Sequence, residues 1–257
     1  MIEQDSSIIP PGVRSAVSRA GVGLVLVLLV GLCALAVPHF ASINNVRNIF
    51  TQITINTILA SGMTFVIVSG GIDLSVGAVM AVSGIVCGTV VAGDVQNPPI
   101  LFGILSGVAV GCLFGALNSF ISERWKLPSF IVSLGMLNIA RGAALTIADG
   151  RTIYNFPMGF VRFGSGSLFN ILPTIFIVAV VIVLIGQAVL SMTVFGRLLL
   201  AIGTNENAVR ISGHPTSRYK MLAFVISGFC AGIAGVVYSA RLTVANPTMG
   251  AGFELNA

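Results

Sequence analysis

The sequence predicts an all-α integral membrane protein that crosses the bilayer several times. Of its 257 residues, 56% are hydrophobic and only 8% are charged, whereas soluble domains carry about 25% charged residues. The apolar residues also occur in long runs. Since a hydrocarbon core about 30 Å thick needs roughly 20 largely apolar residues per helix, these runs are typical of membrane spans. Too few charged residues remain to cover a water-facing surface, so a soluble fold is excluded.

Seven apolar runs are predicted to be transmembrane helices. The runs cover residues 21–37, 53–69, 76–92, 99–121, 128–148, 171–192 and 221–240. The first resembles a signal peptide, but its preceding tail mixes acidic and basic residues and six more spans follow, so we interpret it as a retained helix. Residues 1–20 then form an N-terminal tail and residues 21–257 a membrane domain, in which residues 193–220 are the largest loop.

The distribution of basic residues predicts a cytoplasmic N-terminus. With that orientation eight basic residues are cytoplasmic, four are external and Arg141 lies inside the fifth span. The cytoplasmic group is Arg14, Arg19, Arg124, Lys126, Arg197, Arg210, Arg218 and Lys220, and the external group is Arg47, Arg151, Arg162 and Arg241. The basic residues are scattered, without the clustered stripe that nucleic-acid-binding proteins use, so no nucleic-acid partner is expected.

Glycine recurs at every fourth position along the fourth span. This stripe predicts close helix packing, because small residues let two helix backbones approach each other in a membrane. Its members are Gly103, Gly107, Gly111 and Gly115, and Gly228, Gly232 and Gly235 repeat the pattern in the seventh span. The alternative interpretation is a lining for a substrate path.

Catalytic and metal-binding patterns are missing from the sequence. The only lysines, Lys126 and Lys220, do not follow a glycine, so no Walker A loop is present to hold ATP. His39 and His214 are isolated and fit no zinc-ligand spacing. All four cysteines lie in apolar runs, where they are expected to be packing residues. The sequence therefore predicts no metal site, no cofactor bound by this chain and no enzymatic activity.

The segment 70–77, Gly-Gly-Ile-Asp-Leu-Ser-Val-Gly, is polar and glycine-rich where a plain membrane helix would be neither. Gly70 and Gly71 are predicted to break the second helix, and Asp73 or Ser75 can cap the third. The structural interpretation is a helix cap. The functional one is that the segment from Gly70 to Gly77 lines a water-filled pathway, where irregular backbone is tolerated at membrane depth.

The loop 193–220 contains a predicted short polar helix over residues 205–213. Asn205 or Thr204 is a suitable N-cap, and Gly213 is expected to end the helix. An exposed polar helix between two spans suggests docking to a cytoplasmic partner, and a solvated connecting helix is the alternative. The candidate contact residues are Asn205, Glu206, Ala208, Arg210, Ser212 and Gly213.

Arg141 is a basic residue inside the fifth span. Placing a charged group inside the membrane costs free energy. Such a group is therefore usually paired with another polar group, extended toward the membrane surface or used in function. Structural pairing and a place in the translocation pathway both remain open.

Four motifs, in order, resemble those of the permease subunits of ribose- and allose-type ABC monosaccharide importers. The first is the segment 70–77, and the second is Pro-Ser-Phe-Ile-Val-Ser-Leu-Gly at 128–135 with Ile-Ala-Arg-Gly at 139–142. The third is Ala-Ile-Gly-Thr-Asn-Glu at 201–206, continuing through Arg-Ile-Ser-Gly at 210–213. The fourth is Ile-Ser-Gly at 226–228, with Ala-Gly-Ile-Ala-Gly at 231–235 and Ala-Arg-Leu at 240–242. Together they extend from about residue 40 to the last residue.

This resemblance implies a homodimeric permease in the bacterial inner membrane, fed by a periplasmic sugar-binding protein. ATP would be used by a separate cytoplasmic ATPase subunit, and residues 205–213 would be the coupling helix that receives its motion. Members of the family have about ten spans, so this chain, with seven, resembles a C-terminally truncated member. Thr204 stands where the family often has a second glycine.

An ion-coupled secondary transporter and a channel are the alternative functions. A secondary transporter is expected to have acidic residues near the membrane midplane, but no predicted span contains an acid, and Asp73 lies in the short segment between the second and third spans. A channel does not require the exposed helix at 205–213. The sequence does not distinguish between ribose, allose and related sugars.

Overall fold

The structure is a computed structural model that describes residues 11–93, 99–168 and 171–256. The helices are α1 (Pro11–Ala36), α2 (Ile43–Val68), α3 (Val76–Ala92), α4 (Ile100–Trp125), α5 (Ser129–Ile147), α6 (Met158–Ser165), α7 (Thr174–Met192), α8 (Val194–Ile211), α9 (Thr216–Leu242) and α10 (Phe253–Asn256). Two short strands, β1 (Ser167–Leu168) and β2 (Leu172–Pro173), pair antiparallel. The chain divides into two units, Met1–Asn48 and Ile49–Ala257.

The first unit consists of α1 and the beginning of α2. The apolar side chains of α1 from Leu24 to Leu35 are largely exposed, as expected for a helix that faces lipid. A turn follows, in which the Asn45 side chain donates to the carbonyl oxygen of Phe40 at 2.7 Å. The hydroxyl of Ser42 accepts the backbone N–H of Asn45 at 3.3 Å and so caps the start of α2.

The second unit is built around α3, which packs against α4, α5 and α9. Most of its residues are buried, and Ala78, Met80 and Ile85 are fully inaccessible. Apolar residues surround this helix on every face, which is the pattern of a helix enclosed by other helices. With 17 residues, α3 lies at the short end of the range of about 17–25 residues for a helix that crosses a membrane.

The four glycines of the α4 stripe all lie at helix contacts. A Cβ atom on Gly103 would collide with the side chain of Val91 in α3, and one on Gly107 would lie too close to the carbonyl oxygen of Ser83. A Cβ on Gly111 or Gly115 would collide with backbone carbonyl oxygens of α9. These glycines therefore bring α4 into backbone contact with both neighbours.

Residues 243–252, here called the return segment, fold back from the end of α9 onto α3. The methyl group of Met249 occupies the place that a Cβ on Gly84 would take, and Gly250 and Gly77 touch through their backbones. Ala245 and Ile153 exchange two backbone hydrogen bonds, of 2.8 and 3.0 Å. The segment is therefore held against the interior of the helical unit.

The predicted all-α membrane fold is confirmed. Among the described residues, five helices are long and apolar enough to cross a membrane, namely α2, α4, α5, α7 and α9. Residues 23–36 of α1 and the whole of α3 are shorter apolar helices. The boundaries differ from the predicted spans mainly where helices extend beyond the apolar run, as α9 does by five residues before 221. The short helix α6, the strand pair and the return segment were not predicted.

Candidate functional site

The break between α2 and α3 is the first part of the site. Helix α2 ends at Val68, and Gly70 adopts a positive φ of 80° that favours glycine. The irregular backbone that follows is satisfied by α5, because the N–H groups of Ile72 and Leu74 donate to the hydroxyls of Ser129 and Ser133, both at 3.1 Å. The motifs at 70–77 and 128–135 therefore act together: the second supplies the hydrogen-bond acceptors that the first requires.

Asp73 is buried at the centre of a polar cluster, with 3% of its surface exposed. One carboxylate oxygen accepts the Ser75 backbone N–H at 3.0 Å, the Ser75 hydroxyl at 2.6 Å and the Asn118 amide at 3.2 Å. The other oxygen accepts the hydroxyl of Ser227 at 3.2 Å. The carboxylate thus links the start of α3 to α4 and α9.

Of the two predicted cap residues, Asp73 accepts the backbone N–H of Ser75 at the start of α3, whereas Ser75 does not cap the helix with its side chain. Ser75 is the N-cap residue of α3, but its side chain makes no capping hydrogen bond to the helix. Its hydroxyl donates to Asp73 instead. The reason is that Asn118 and Ser227, supplied by two other helices, fix the carboxylate just before the helix, and Ser75 turns toward it.

Asn118 was missed by sequence reasoning. It is fully buried, and its amide oxygen has no hydrogen-bond partner. A signal was available, because Asn118, Ser119 and Ser122 are polar residues on one side of an otherwise apolar helix. Such residues in membrane helices face protein rather than lipid.

Helix α8 forms the second part of the site and is kinked at Asn205, whose φ of −156° and ψ of 89° are not helical. The Asn205 side chain accepts the backbone N–H of Ala208 at 3.0 Å, so it caps a new short helix, as predicted. Gly213, with a φ of 88°, follows the end of that helix. There the N–H groups of Gly213 and His214 donate to the carbonyl oxygens of Arg210 and Val209, which is a Schellman motif.

The short helix of α8 is seated on the protein by one side and exposed on the other. Val209 is buried, whereas Asn205, Ala208, Arg210, Ser212 and Gly213 are exposed. Ile211, which sequence reasoning missed, is 86% exposed. A large apolar side chain so exposed at a rigidly capped helix end is a candidate partner contact.

Helix α8 also contacts the break between α2 and α3 directly. A Cβ on Gly203 would collide with the carbonyl oxygen of Val68, the last residue of α2. The Cα atom of Gly203 would lie 4.0 Å from a Cβ on Gly70. The backbones of α8 and the end of α2 are therefore in contact with no side chain between them.

Glu206 belongs to a network of charged groups between α4, α8 and α9. Its carboxylate accepts hydrogen bonds from the Lys220 ammonium and from the Thr216 hydroxyl, the latter at 3.0 Å. Lys220 also lies 3.6 Å from Glu123, which in turn is 3.5 Å from Lys126. Burial by itself raises the pKa of Glu206, but the bonds from Lys220 and Thr216 and the positive charges of Lys220 and Lys126 outweigh it and lower that pKa below its ordinary value.

These elements enclose a polar cavity of about 410 Å³. Its walls come from the α2–α3 break, the end of α4, the connection from α4 to the start of α5, the short helix of α8 and the first part of α9. The lining includes Gly70 and Gly71 but not Asp73, Ser75 or Gly77. Ser75 and Gly77 are packed against neighbouring elements, as Asp73 is.

Arg141 lies about 18 Å along α5 from Ser129, at 1.5 Å per residue. Its guanidinium donates to two carbonyl oxygens of the return segment, those of Pro247 at 2.9 Å and Met249 at 2.8 Å. The arginine is therefore paired with backbone groups of a segment that is 106 residues away in sequence. Its side chain does not reach the polar cavity.

No candidate metal centre is present in the described parts of the chain, because no three His, Cys, Asp or Glu side chains are grouped there. All four cysteines are free thiols.

Comparison with known proteins gives a consistent result. The family described as "branched-chain amino acid transport system / permease component" matches residues 45–257. The D-allose transport system permease protein of Escherichia coli (strain K12) is 36% identical over 93% of this chain and 73% of its own length. The ribose import permease protein of Haemophilus influenzae is 34% identical over 91% and 72%.

A third relative, the L-arabinose ABC transporter permease protein of Azospirillum brasilense, is 32% identical over 95% of this chain and 71% of its own length. No solved structure matches the chain significantly. The resemblance drawn from the four motifs is confirmed, and these relatives favour an importer permease over the ion-coupled transporter and the channel.

Proposed function

Because this chain belongs to the family of permease components of branched-chain amino acid transport systems, we propose that it is the transmembrane permease subunit of an ABC importer for a monosaccharide. The sugar class is supported by the relatives, which are named for allose, ribose and arabinose. The permease moves its substrate across the bacterial inner membrane and has no catalytic role. ATP is hydrolysed by a separate subunit, and a periplasmic binding protein delivers the sugar.

The main observation that supports this proposal is the structure of α8. Its second half is a short helix capped at both ends, seated on the protein through Val209 and exposed at Arg210 and Ile211. A groove on the ATPase surface receives such a helix through its exposed side. The coupling residues are then Asn205, Ala208, Arg210, Ile211, Ser212 and Gly213, whereas Glu206 acts mainly by holding the helix to Lys220 and Thr216.

The mechanism follows from the contact between Gly203 and Val68. A displacement of the short helix by the ATPase moves α8, and α8 moves the end of α2 because their backbones touch. Coupling between distant sites requires an element with two arrangements that both sites bias. We assign that role to the α2–α3 break, because it is the irregular backbone that α8 contacts directly. A second copy of the permease completes the pore.

Uptake of radiolabelled sugar by cells tests the proposal. The chain is produced as the sole permease with the ATPase and binding protein of a pentose or allose importer. We expect uptake of the sugar, and loss of uptake in Gly203→Ala at an unchanged amount of protein in the membrane, because the added Cβ separates α8 from α2. Gly142→Ala, where a Cβ meets no atom within 4 Å, is the matched control and keeps uptake. Uptake of leucine in place of every sugar tested would contradict the proposal.

A further inference from the structure

A second cavity lies between the end of α4 and the start of α9 and shares only Glu123 with the polar cavity beside α8. Its volume is about 210 Å³. Complete small-molecule ligands usually occupy about 300–1,000 Å³. The second cavity therefore suits one polar group of a larger molecule whose remainder lies outside it. The lining residues are Ser119, Phe120, Glu123, Arg124, Ser217 and Met221.

The outer wall of the second cavity is apolar and exposed. Phe120 and Met221 are both exposed, and they belong to α4 and α9, two of the helices long and apolar enough to cross a membrane. Trp125, at the end of α4, is also exposed and contacts the edge of the Phe120 ring. Aromatic residues at the ends of membrane helices lie at the level of the lipid headgroups. The cavity is therefore placed where the hydrocarbon of the bilayer meets its headgroups.

The inner wall presents hydrogen-bond donors that lack acceptors. Ser119 is buried, and its hydroxyl has no hydrogen-bond partner among the described residues. Ser217 lies in the first turn of α9, and the N-cap residue Pro215 provides no side-chain cap. The first N–H groups of a helix have no acceptor within the helix, and the helix dipole favours an anion beside them. A buried hydroxyl and an uncapped helix start thus face the same cavity.

The charges around the second cavity leave one cation uncompensated. Glu123 lies 3.6 Å from Lys220 and 3.5 Å from Lys126, and Lys220 also pairs with Glu206. In this network two carboxylates balance two ammonium groups. Arg124 has no ion-pair partner in the part of the chain that the structure describes. A guanidinium group binds phosphate oxygens through two parallel hydrogen bonds, and a phosphodiester carries the single negative charge that balances Arg124.

We propose that the second cavity binds the headgroup phosphate of an anionic phospholipid such as phosphatidylglycerol. The phosphate accepts from Arg124, Ser119 and the start of α9 at Ser217, and the acyl chains lie along Phe120 and Met221 in the bilayer. Basic pockets between membrane helices bind anionic headgroups in this way. A zwitterionic lipid fits less well, because its headgroup ammonium would lie beside the positive charge of Arg124. The site goes beyond the proposed function and does not involve the exposed side of α8.

Fluorescence quenching of Trp125 tests this inference, since Trp125 is the single tryptophan of the sequence and adjoins Arg124. The purified chain in mild detergent is titrated with phosphatidylglycerol brominated on its acyl chains, and separately with brominated phosphatidylcholine. We expect saturable quenching by both lipids, with roughly tenfold higher affinity for phosphatidylglycerol, the effect of one charge-assisted contact.

Two variants separate the charge from the hydroxyl. Arg124→Gln is expected to weaken binding of phosphatidylglycerol by roughly tenfold, to the level of phosphatidylcholine. Ser119→Ala is expected to weaken binding of both lipids, because its hydroxyl donates to the phosphate that they share. Arg151→Gln, at an exposed position outside the helices, is the matched control and keeps wild-type affinities.

Three results would overturn the lipid site. One is equal affinity of the wild type for the two lipids, and another is an unchanged affinity for phosphatidylglycerol in Arg124→Gln. The third is displacement of the lipid by inorganic phosphate but not by sodium chloride of equal ionic strength, which would identify a site for a soluble anion. Capture of the ATPase is measured separately. Its loss in Arg124→Gln with unchanged lipid affinity would show that the cavity is a protein contact instead.

Discussion

Two charged side chains, Asp73 and Arg141, lie among apolar helices, and both are satisfied by partners far away in sequence. Asp73 binds Asn118 and Ser227, which are 45 and 154 residues distant. Arg141 binds carbonyl oxygens of the return segment. Their charge made both residues detectable in the sequence, since a buried charge needs partners. The partners were not predictable, because they depend on which helices become neighbours.

Arg141→Met is expected to loosen the return segment. The substitution removes both donors and leaves the carbonyl groups of Pro247 and Met249 unpaired, at a cost of about 1–3 kcal/mol for each group that stays buried. Hydrogen exchange of amides in 243–252 should therefore accelerate, and Arg141→Lys should restore part of the protection. Arg151→Met, at an exposed position outside the helices, is the control. Unchanged exchange in Arg141→Met would show that the two hydrogen bonds do not hold the segment.

At the scale of elements, close approach of glycine backbones organises the packing of α3, α4 and α9. The spacing of the α4 stripe indicated which face packs. It did not indicate that Gly103 and Gly107 meet α3 whereas Gly111 and Gly115 meet α9. The division arises because α4 crosses from one neighbour to the other along its length, a property of helix crossing angles rather than of any one residue.

Gly111→Ala is expected to destabilise the protein. Its Cβ would collide with the carbonyl oxygen of Gly228 and approach the Cα of Gly232, and neither backbone atom can move without displacing α9. Overpacking of this kind costs typically about 1–3 kcal/mol, which thermal unfolding in detergent measures.

The control is Gly135→Ala, also in a helix, where the added Cβ meets no atom within 4 Å. There the unfolding midpoint should stay the same or rise slightly, since alanine favours helix by about 1 kcal/mol. Equal effects of the two substitutions would refute the packing role of the stripe.

Other elements show why parts of the candidate site could not be predicted. The short helix at residues 205–213 was predictable because its signals are local in sequence. They are a cap residue, a run of polar residues and a glycine at the end. The contact of Gly203 with α2 and the network of Glu206, Lys220 and Glu123 carry no local signal, because they join three segments through tertiary packing. Ile211 was overlooked because an apolar residue beside a span is ordinary until its 86% exposure is known.

For the molecule as a whole, composition and apolar runs were sufficient to predict the fold class. The number of membrane spans is harder to predict from the sequence than the fold class. Helix α3 is short and enclosed by other helices, and the length of its apolar run alone does not distinguish a membrane span from a buried core helix. The exposed apolar faces of α5 and α7 need lipid or another subunit to cover them.

The central claim is that the short helix of α8 docks to an ABC ATPase, and its most direct test is co-purification in mild detergent. The ATPase of a ribose- or allose-type importer is produced with the wild-type chain, with Arg210→Glu/Ile211→Asp, and with the control Arg151→Glu. We expect the wild type and the control to retain the ATPase and the double variant to lose it, because its two exposed contacts are reversed or made polar. Retention of the ATPase by the double variant at the wild-type level would contradict the assignment of this surface.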